Sequence, residues 1–247
     1  MSSAPLTSTP PPLLPAKSKP KSPPPQHPLL SHLPHCTSLR SLAQLHAAAV
    51  KAGLAAHPAF VTRLLTLCTA PGAHPAHLAY ARQVFDRVPH PADAVWYNTL
   101  LRGYARSPSP AAVRVFVRML EEGVAPDTYT FVSLLKACAA ARAGEEGRQV
   151  HAVAVRVGAA GHEYVRPTLI NMYAECGDGR AARAMFDRMD GDCVVSYNAM
   201  IAAAVRSSRP GEALVLFREM QAKGLEPTSV SVISVLSACA GTGEVDP

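Results

Sequence analysis

Six cysteines, ten histidines and two Tyr-Asn pairs are the residues of this 247-residue chain whose types and spacing bear on chemistry. Cys36, Cys68, Cys138, Cys176, Cys193 and Cys239 include no Cys-x-x-Cys pair, so no spacing supports a structural zinc site. Zinc deamination needs a His-x-Glu and a later Pro-Cys-x-x-Cys. Neither occurs, and His162-Glu163 is adjacent rather than spaced by one. A Cys–His nucleophile assembled from so many cysteines and histidines carries no information, and no Gly-rich phosphate loop is present. The expectation is a chain that is not an enzyme by itself and uses no cofactor, metal or small-molecule substrate. Its cysteines are expected as reduced, buried, small apolar side chains. Asn98 and Asn198 remain. A carboxamide carries both donor and acceptor, so it can match a pyrimidine edge; Asn is equally well suited to capping a helix N-terminus.

The elements that must position these asparagines are helices. From Val194, Tyr197, Met200, Ile201 and Ala204 recur at the spacing of one helical face. The run from Ser207 to Gly211 breaks the pattern, and Pro210 suits the first turn of a second helix, in which Ala213, Leu216, Phe217 and Met220 repeat the spacing. Gly224 then supplies a stop, with Lys223 beside it where the helix dipole favours a cation. Neither helix is long enough to be stable alone. Copies follow: Tyr97-Asn98 matches Tyr197-Asn198, Phe116 matches Phe217, and Met119 matches Met220. Asn98 to Asn198 is 100 residues and Cys138 to Cys239 is 101, so a triplet of units repeats. The units run from about 26–57, 58–93, 94–127, 128–162, 163–193 and 194–228, with an incomplete one over 229–247. This pattern predicts a stacked helical solenoid. His46 and His151 fall at the same place in their units, as packing or surface histidines facing the adjoining repeat.

The sequences WYNTLLRGYAR and SYNAMIAAAVR, LFREMQAKGLEP, LLKACA with EEGRQVHA, and LINMYAECGD with ARAMFDRM resemble the pentatricopeptide repeat family of plants, in its subclass of alternating long and short repeats. The resemblance extends from about Leu29 to the end of the chain. It implies an all-α, right-handed superhelical solenoid that binds single-stranded organelle RNA and specifies cytidines for C-to-U editing. Other editing factors are implied as further partners, and any deaminase domain would lie beyond Pro247. In helical-repeat RNA binders one repeat reads one base through two or three side chains. By resemblance, these are the fifth and last residues of a repeat, while the second packs on the base face. The implied reading pairs are Thr62 with Asp93, Asn98 with Asp127, and Asn198 with Thr228; Val95 and Val195 are the base-sandwiching residues. The other two units carry Val132 with His162, and Pro167 with Cys193. Val132 cannot hydrogen-bond a base and Pro167 suits a helix start, so both units are expected to act as spacers. The implied footprint is 5′-G-U-N-N-Y-3′.

Charge bears on this reading through its distribution. The net +6 arises entirely before Ala94, where eight Lys and Arg face two acids; the remainder carries sixteen of each. Overall charge therefore says little about a phosphate-binding groove. Residues 1–25 are Pro-, Ser- and Thr-rich with Lys17, Lys19 and Lys21, and no acid precedes Asp86. That is the composition of a transit peptide as well as of a Pro-rich tail. With the family resemblance it predicts import into the chloroplast, or alternatively the mitochondrion. No apolar stretch approaches membrane-spanning length. Two other functions remain open: a tetratricopeptide-type protein-binding scaffold, against which the missing W-x-x-L-G-x-x-Y pattern argues, and RNA stabilisation or processing without editing.

Overall fold

A computed structural model describes residues 28–36, 38–88, 93–107, 109, 111–189 and 193–242. The leader expected over residues 1–25 lies outside them. The described residues are all-helical, with no strand. A short helix α1 (Pro28–His32) and a 3-10 turn (Leu33–His35) precede α2 (Leu39–Lys51). Five helix pairs follow: α3 (Pro58–Cys68) with α4 (Pro75–Arg87), α5 (Ala94–Tyr104) with α6 (Ala111–Glu121), α7 (Thr128–Ala141) with α8 (Gly144–Arg156), α9 (Val165–Glu175) with α10 (Gly179–Asp187), and α11 (Val194–Arg206) with α12 (Pro210–Ala222). A further first helix, α13 (Ser229–Thr242), closes the described array.

Each first helix packs on the next: α3 on α5, α5 on α7, α7 on α9, α9 on α11, and α11 on α13. Each second helix lies against its own first helix and also touches the following one. The result is a two-layer solenoid with the first helices as one layer. Its core is the periodic face: Tyr97, Leu100, Leu101 and Tyr104 in α5, and Tyr197, Met200, Ile201 and Ala204 in α11, are all buried. The same aromatic joint recurs between pairs. Phe85 meets Tyr97 edge-on with centroids 4.9 Å apart, and Phe186 meets Tyr197 in the same way at 4.9 Å. Gly224 has φ +72°, and Leu225 N donates to the Met220 carbonyl at 3.1 Å, the left-handed stop that a Cβ would strain. Arg106 and Arg206 each donate to a carbonyl at the C-terminal end of the preceding first helix, Thr69 at 2.9 Å and Ala174 at 3.0 Å.

Two elements start or end differently from the repeat register. Among the described residues the first unit shows no full first helix: Pro34 lies in the 3-10 turn after α1, where a proline removes an amide donor. Helix α9 begins at Val165 rather than Glu163, which places Pro167 in the first turn, where its missing N–H costs nothing.

The cysteines depart in part from the expectation. All six are free thiols, but only Cys68 and Cys138 are buried; the other four are half-buried, at the end of the 3-10 turn, at helix caps, or in α13. Burial pushes the Cys68 and Cys138 thiols up to about 12. Alkylation of the native protein with iodoacetamide at pH 8 is therefore expected to modify Cys36, Cys193 and Cys239 first, and Cys176, whose thiol burial also pushes up, more slowly. Cys68 and Cys138 should become reactive only on unfolding, because the thiolate is the nucleophile. Mass-spectrometric mapping with equal rates at all six sites would contradict this core.

His46 and His151 do face the adjoining repeat. His46 Nδ1 lies 2.7 Å from the Tyr80 hydroxyl and His151 Nδ1 2.8 Å from that of Tyr173. Burial lowers both imidazole pKa values below the ordinary 6.5, with Arg87 adding to the effect at His46. The folded state thus holds these rings neutral where the unfolded chain binds protons. Their contribution is whole above pH 6.5 and is lost as pH falls below it toward the folded-state values. The urea midpoint should fall between pH 7 and pH 5, and less steeply in a His46→Gln/His151→Gln double variant. An identical slope in both proteins would refute the assignment.

Candidate nucleic-acid interface

The asparagines do not cap their helices. Asp93 is the N-cap of α5, its side chain accepting from Val95 N at 3.1 Å, and Cys193 precedes α11 without a side-chain cap bond. Asn98 and Asn198 sit one turn inside, half-buried, each reaching to the start of the next repeat. Asn98 Nδ2 donates to both carboxylate oxygens of Asp127 at 3.1 Å, and its Oδ1 accepts from Thr130 Oγ1 at 2.7 Å. One hundred residues on, Asn198 Nδ2 donates to Thr228 Oγ1 at 3.0 Å and its Oδ1 accepts from Ser231 Oγ at 2.5 Å.

The partners are fixed by local sequence. Asp127 caps α7 in a reciprocal box with Thr130: Thr130 N donates to Asp127 Oδ1 at 2.8 Å and Asp127 N to Thr130 Oγ1 at 3.0 Å. Ahead of α13 the same exchange recurs, Ser231 N donating to Thr228 Oγ1 at 3.4 Å and Thr228 N to Ser231 Oγ at 2.9 Å. The last residue of each pair is therefore held by helix capping while its side chain stays exposed. The fifth and last residues are brought together at Asn98/Asp127 and Asn198/Thr228. Thr62 and Asp93 are not bonded to each other; Thr62 Oγ1 instead accepts from the Trp96 indole Nε1 at 2.8 Å.

Val95 and Val195, the second residues of their repeats, are 50% and 58% exposed. The same position elsewhere holds Tyr129, Tyr164 and Val230, at 75%, 64% and 55% exposed. Because successive first helices pack side by side, these five form a row of apolar and aromatic side chains open to solvent. The tyrosines and Val230 were legible from the repeat register alone, since each follows the first residue of its unit. At the two spacer units Pro167 is buried and Val132 half-buried, so neither offers a polar atom to a ligand.

Several ion pairs run along the second-helix layer. Arg118 bridges Asp86 and Glu122 at 2.7 and 2.6 Å, Arg148 reaches Asp178 at 3.2 Å, and Arg183 pairs with Asp187 at 2.8 Å. On the first helices, Arg102 and Lys136 are exposed one turn beyond Asn98 and Val132, and form no ion pair among the described residues. No cluster of His, Cys, Asp or Glu among the described residues could hold a metal ion, and no described helix is long and apolar enough to cross a membrane.

Paired helices stacked in two layers, with a register repeating every 31 to 36 residues, define a helical-repeat protein. The chain belongs to the pentatricopeptide repeat proteins: the PPR repeat family matches residues 92–140 and 192–241, and the PPR repeat matches residues 168–194. A chloroplastic pentatricopeptide repeat-containing protein of Arabidopsis thaliana is 47% identical over 222 residues, 90% of this chain and 36% of that protein. A chloroplastic/mitochondrial one from the same plant is 38% identical over 216 residues, 85% of this chain and 33% of that protein. The chain thus spans about a third of the length of these relatives. Among solved structures, PPR10 from maize matches with a TM-score of 0.59 at 20% identity, covering 88% of this chain and 37% of that one. PPR10 in complex with an 18-nt psaJ RNA element matches at 0.61 and 19% identity, covering 86% and 34%. At that identity the likeness speaks for the fold.

Proposed function

We propose that this chain binds single-stranded organelle RNA in a sequence-specific manner, as the target-recognition part of a C-to-U editing factor of the subclass with alternating long and short repeats. The carrying observation is the recurrence, 100 residues apart, of a half-buried asparagine carboxamide bonded to the exposed capping residue of the next repeat. A helix that needed only a cap would not spend a second polar side chain one turn inside. The exposed row through Val95, Tyr129, Tyr164, Val195 and Val230 supplies the faces on which splayed bases stack. Arg102 and Lys136 supply cations for the phosphates between them.

The repeats do the recognition in this reading, and deamination belongs to other protein segments or to partner editing factors. The destination is the chloroplast, in line with the name of the 47%-identical relative, with the mitochondrion as the alternative that the second relative's name carries. The reading pairs are Thr62/Asp93, Asn98/Asp127 and Asn198/Thr228, with Val132/His162 and Pro167/Cys193 as spacers.

Selection from a randomised single-stranded RNA pool at fixed, low salt tests this directly. Enrichment of G-U-N-N-Y is expected, with the two middle positions unbiased. Recovery of sequences without any common pattern would reject base readout by these pairs. Binding should be weak and only shallowly salt-dependent, because few stations discriminate and residues 94–247 carry no net positive charge with which to release counterions.

A further inference from the structure

We propose that the third residue of each repeat is a positioning residue for the reading residue one repeat upstream: Trp96 for Thr62, Thr130 for Asn98, and Ser231 for Asn198. The proposal rests on the base-reading assignment above and adds a third member to each pair.

Each of these side chains is buried, and its polar atom is turned toward the upstream reading residue. At Asn98 the Thr130 hydroxyl donates to Oδ1 while the Asp127 carboxylate takes Nδ2. Rotating the carboxamide by half a turn would set its oxygen against the carboxylate, so the amide is locked in one orientation. With one N–H shared between the two Asp127 oxygens, the other amide N–H and one carbonyl lone pair are left for a ligand, in a fixed order in space. At Asn198 the Ser231 hydroxyl and Thr228 enforce the same orientation. The lock is softer there, because Thr228 presents a rotatable hydroxyl where Asp127 presents an acceptor only.

At Thr62 the device differs and so does its consequence. An indole N–H only donates, so Trp96 obliges the Thr62 oxygen to accept and leaves the Thr62 proton free to point outward. Thr62 therefore keeps its proton for a base, with one of its two lone pairs taken by the indole. The spacer units lack the device. Opposite Val132 the third residue is Val165, and opposite Pro167 it is Ser196, whose hydroxyl is turned away to the Met189 sulfur at 3.4 Å. A polar third residue aims at the upstream fifth residue wherever that residue is polar.

The test uses the full chain and synthetic single-stranded RNAs carrying G-U-A-A-U, changed one base at a time, with dissociation constants measured at fixed salt. Thr130→Val keeps the shape and removes the hydroxyl. The preference for U over G at the second position should fall about tenfold, while the G preference at the first position stays within twofold of the parent. Thr130→Ser should restore the U preference. Trp96→Phe, which removes the indole donor, should give the mirror result: selectivity lost at the first position and kept at the second. Thr130 and Trp96 also serve the fold, but a purely structural role would weaken all RNAs in parallel and leave the ratios unmoved. Asn98→Ala is measured alongside. If it abolishes the U preference while Thr130→Val and Trp96→Phe leave every ratio intact, the positioning role is overturned and base reading stands. If Asn98→Ala also leaves the ratios unchanged, base reading fails and the positioning role falls with it. Should Thr130→Val fail to fold, Trp96→Phe and Ser231→Ala decide the question at their own stations.

Discussion

Tyr97→Ala is expected to destabilise the protein by about 3–5 kcal/mol, the range for deleting a buried aromatic ring. The ring is fully buried, lies edge-on to Phe85 at 4.9 Å, and joins three helices. Its hydroxyl donates to the Glu122 carboxylate, which Arg118 also holds at 2.6 Å; Arg118 in turn lies over the Phe85 ring, 4.9 Å from its centroid. Burial and the Glu122 bond both raise the Tyr97 pKa, so the phenol stays protonated and acts as a donor. Tyr97→Phe removes only that hydrogen bond and should cost about 1 kcal/mol, since Glu122 keeps Arg118. In a solenoid each repeat is stabilised by its neighbours. The alanine variant should therefore expose amides of α3 to α5 to hydrogen exchange well before those around the equivalent Phe186–Tyr197 joint. Urea unfolding gives the magnitude, and a loss below about 1 kcal/mol for Tyr97→Ala would mean that this joint does not hold the repeats together.

The joint was legible in the sequence because it is periodic. Tyr97, Leu100, Leu101 and Tyr104 fall on one helical face, and the 100-residue copy at Tyr197 makes the face unmistakable. The shift of α9 could be foreseen only in part: Pro167 marks a helix start, but whether the chain enters the helix at Glu163 or Val165 depends on where the proline can sit without losing a bond. The break at Pro34 hid in a stretch whose register otherwise matched.

The candidate site divides in the same way. Once the family resemblance supplies which positions of a repeat matter, counting within one repeat points to Thr62, Asn98, Asn198, Val95 and Val195. Bonds between repeats could not. Thr130 and Ser231 look like ordinary first-turn residues, and their role as donors to carboxamides 32 and 33 residues upstream exists only once the first helices are stacked. The choice between capping and readout for the asparagines had the same cause. Sequence alone places an Asn near a helix start, and only the observed caps at Asp93 and Cys193 set it one turn inside. The balance of charge was visible as a count, but ion pairs between repeats such as Arg118–Asp86 were not.

The central claim is that Asn98 reads a base, and one substitution puts it at risk. Asn98→Thr gives the second station the same residue types as the first, threonine with a following capping aspartate, as at Thr62 and Asp93. A threonine places a single short hydroxyl beside Asp127, where the asparagine offered a longer group with its donor and acceptor on separate atoms. The mismatch at a read position should cost on the order of 1–3 kcal/mol by analogy with base readout elsewhere. Filter binding at fixed salt, with single-stranded RNAs carrying U or G at the second position of G-U-N-N-Y, measures the effect. The parent should prefer U and the Asn98→Thr protein should shift toward G, with the first position unchanged in both. If the two proteins rank U and G identically, Asn98 does not read the base, and its bonds to Asp127 and Thr130 serve only to tie one repeat to the next.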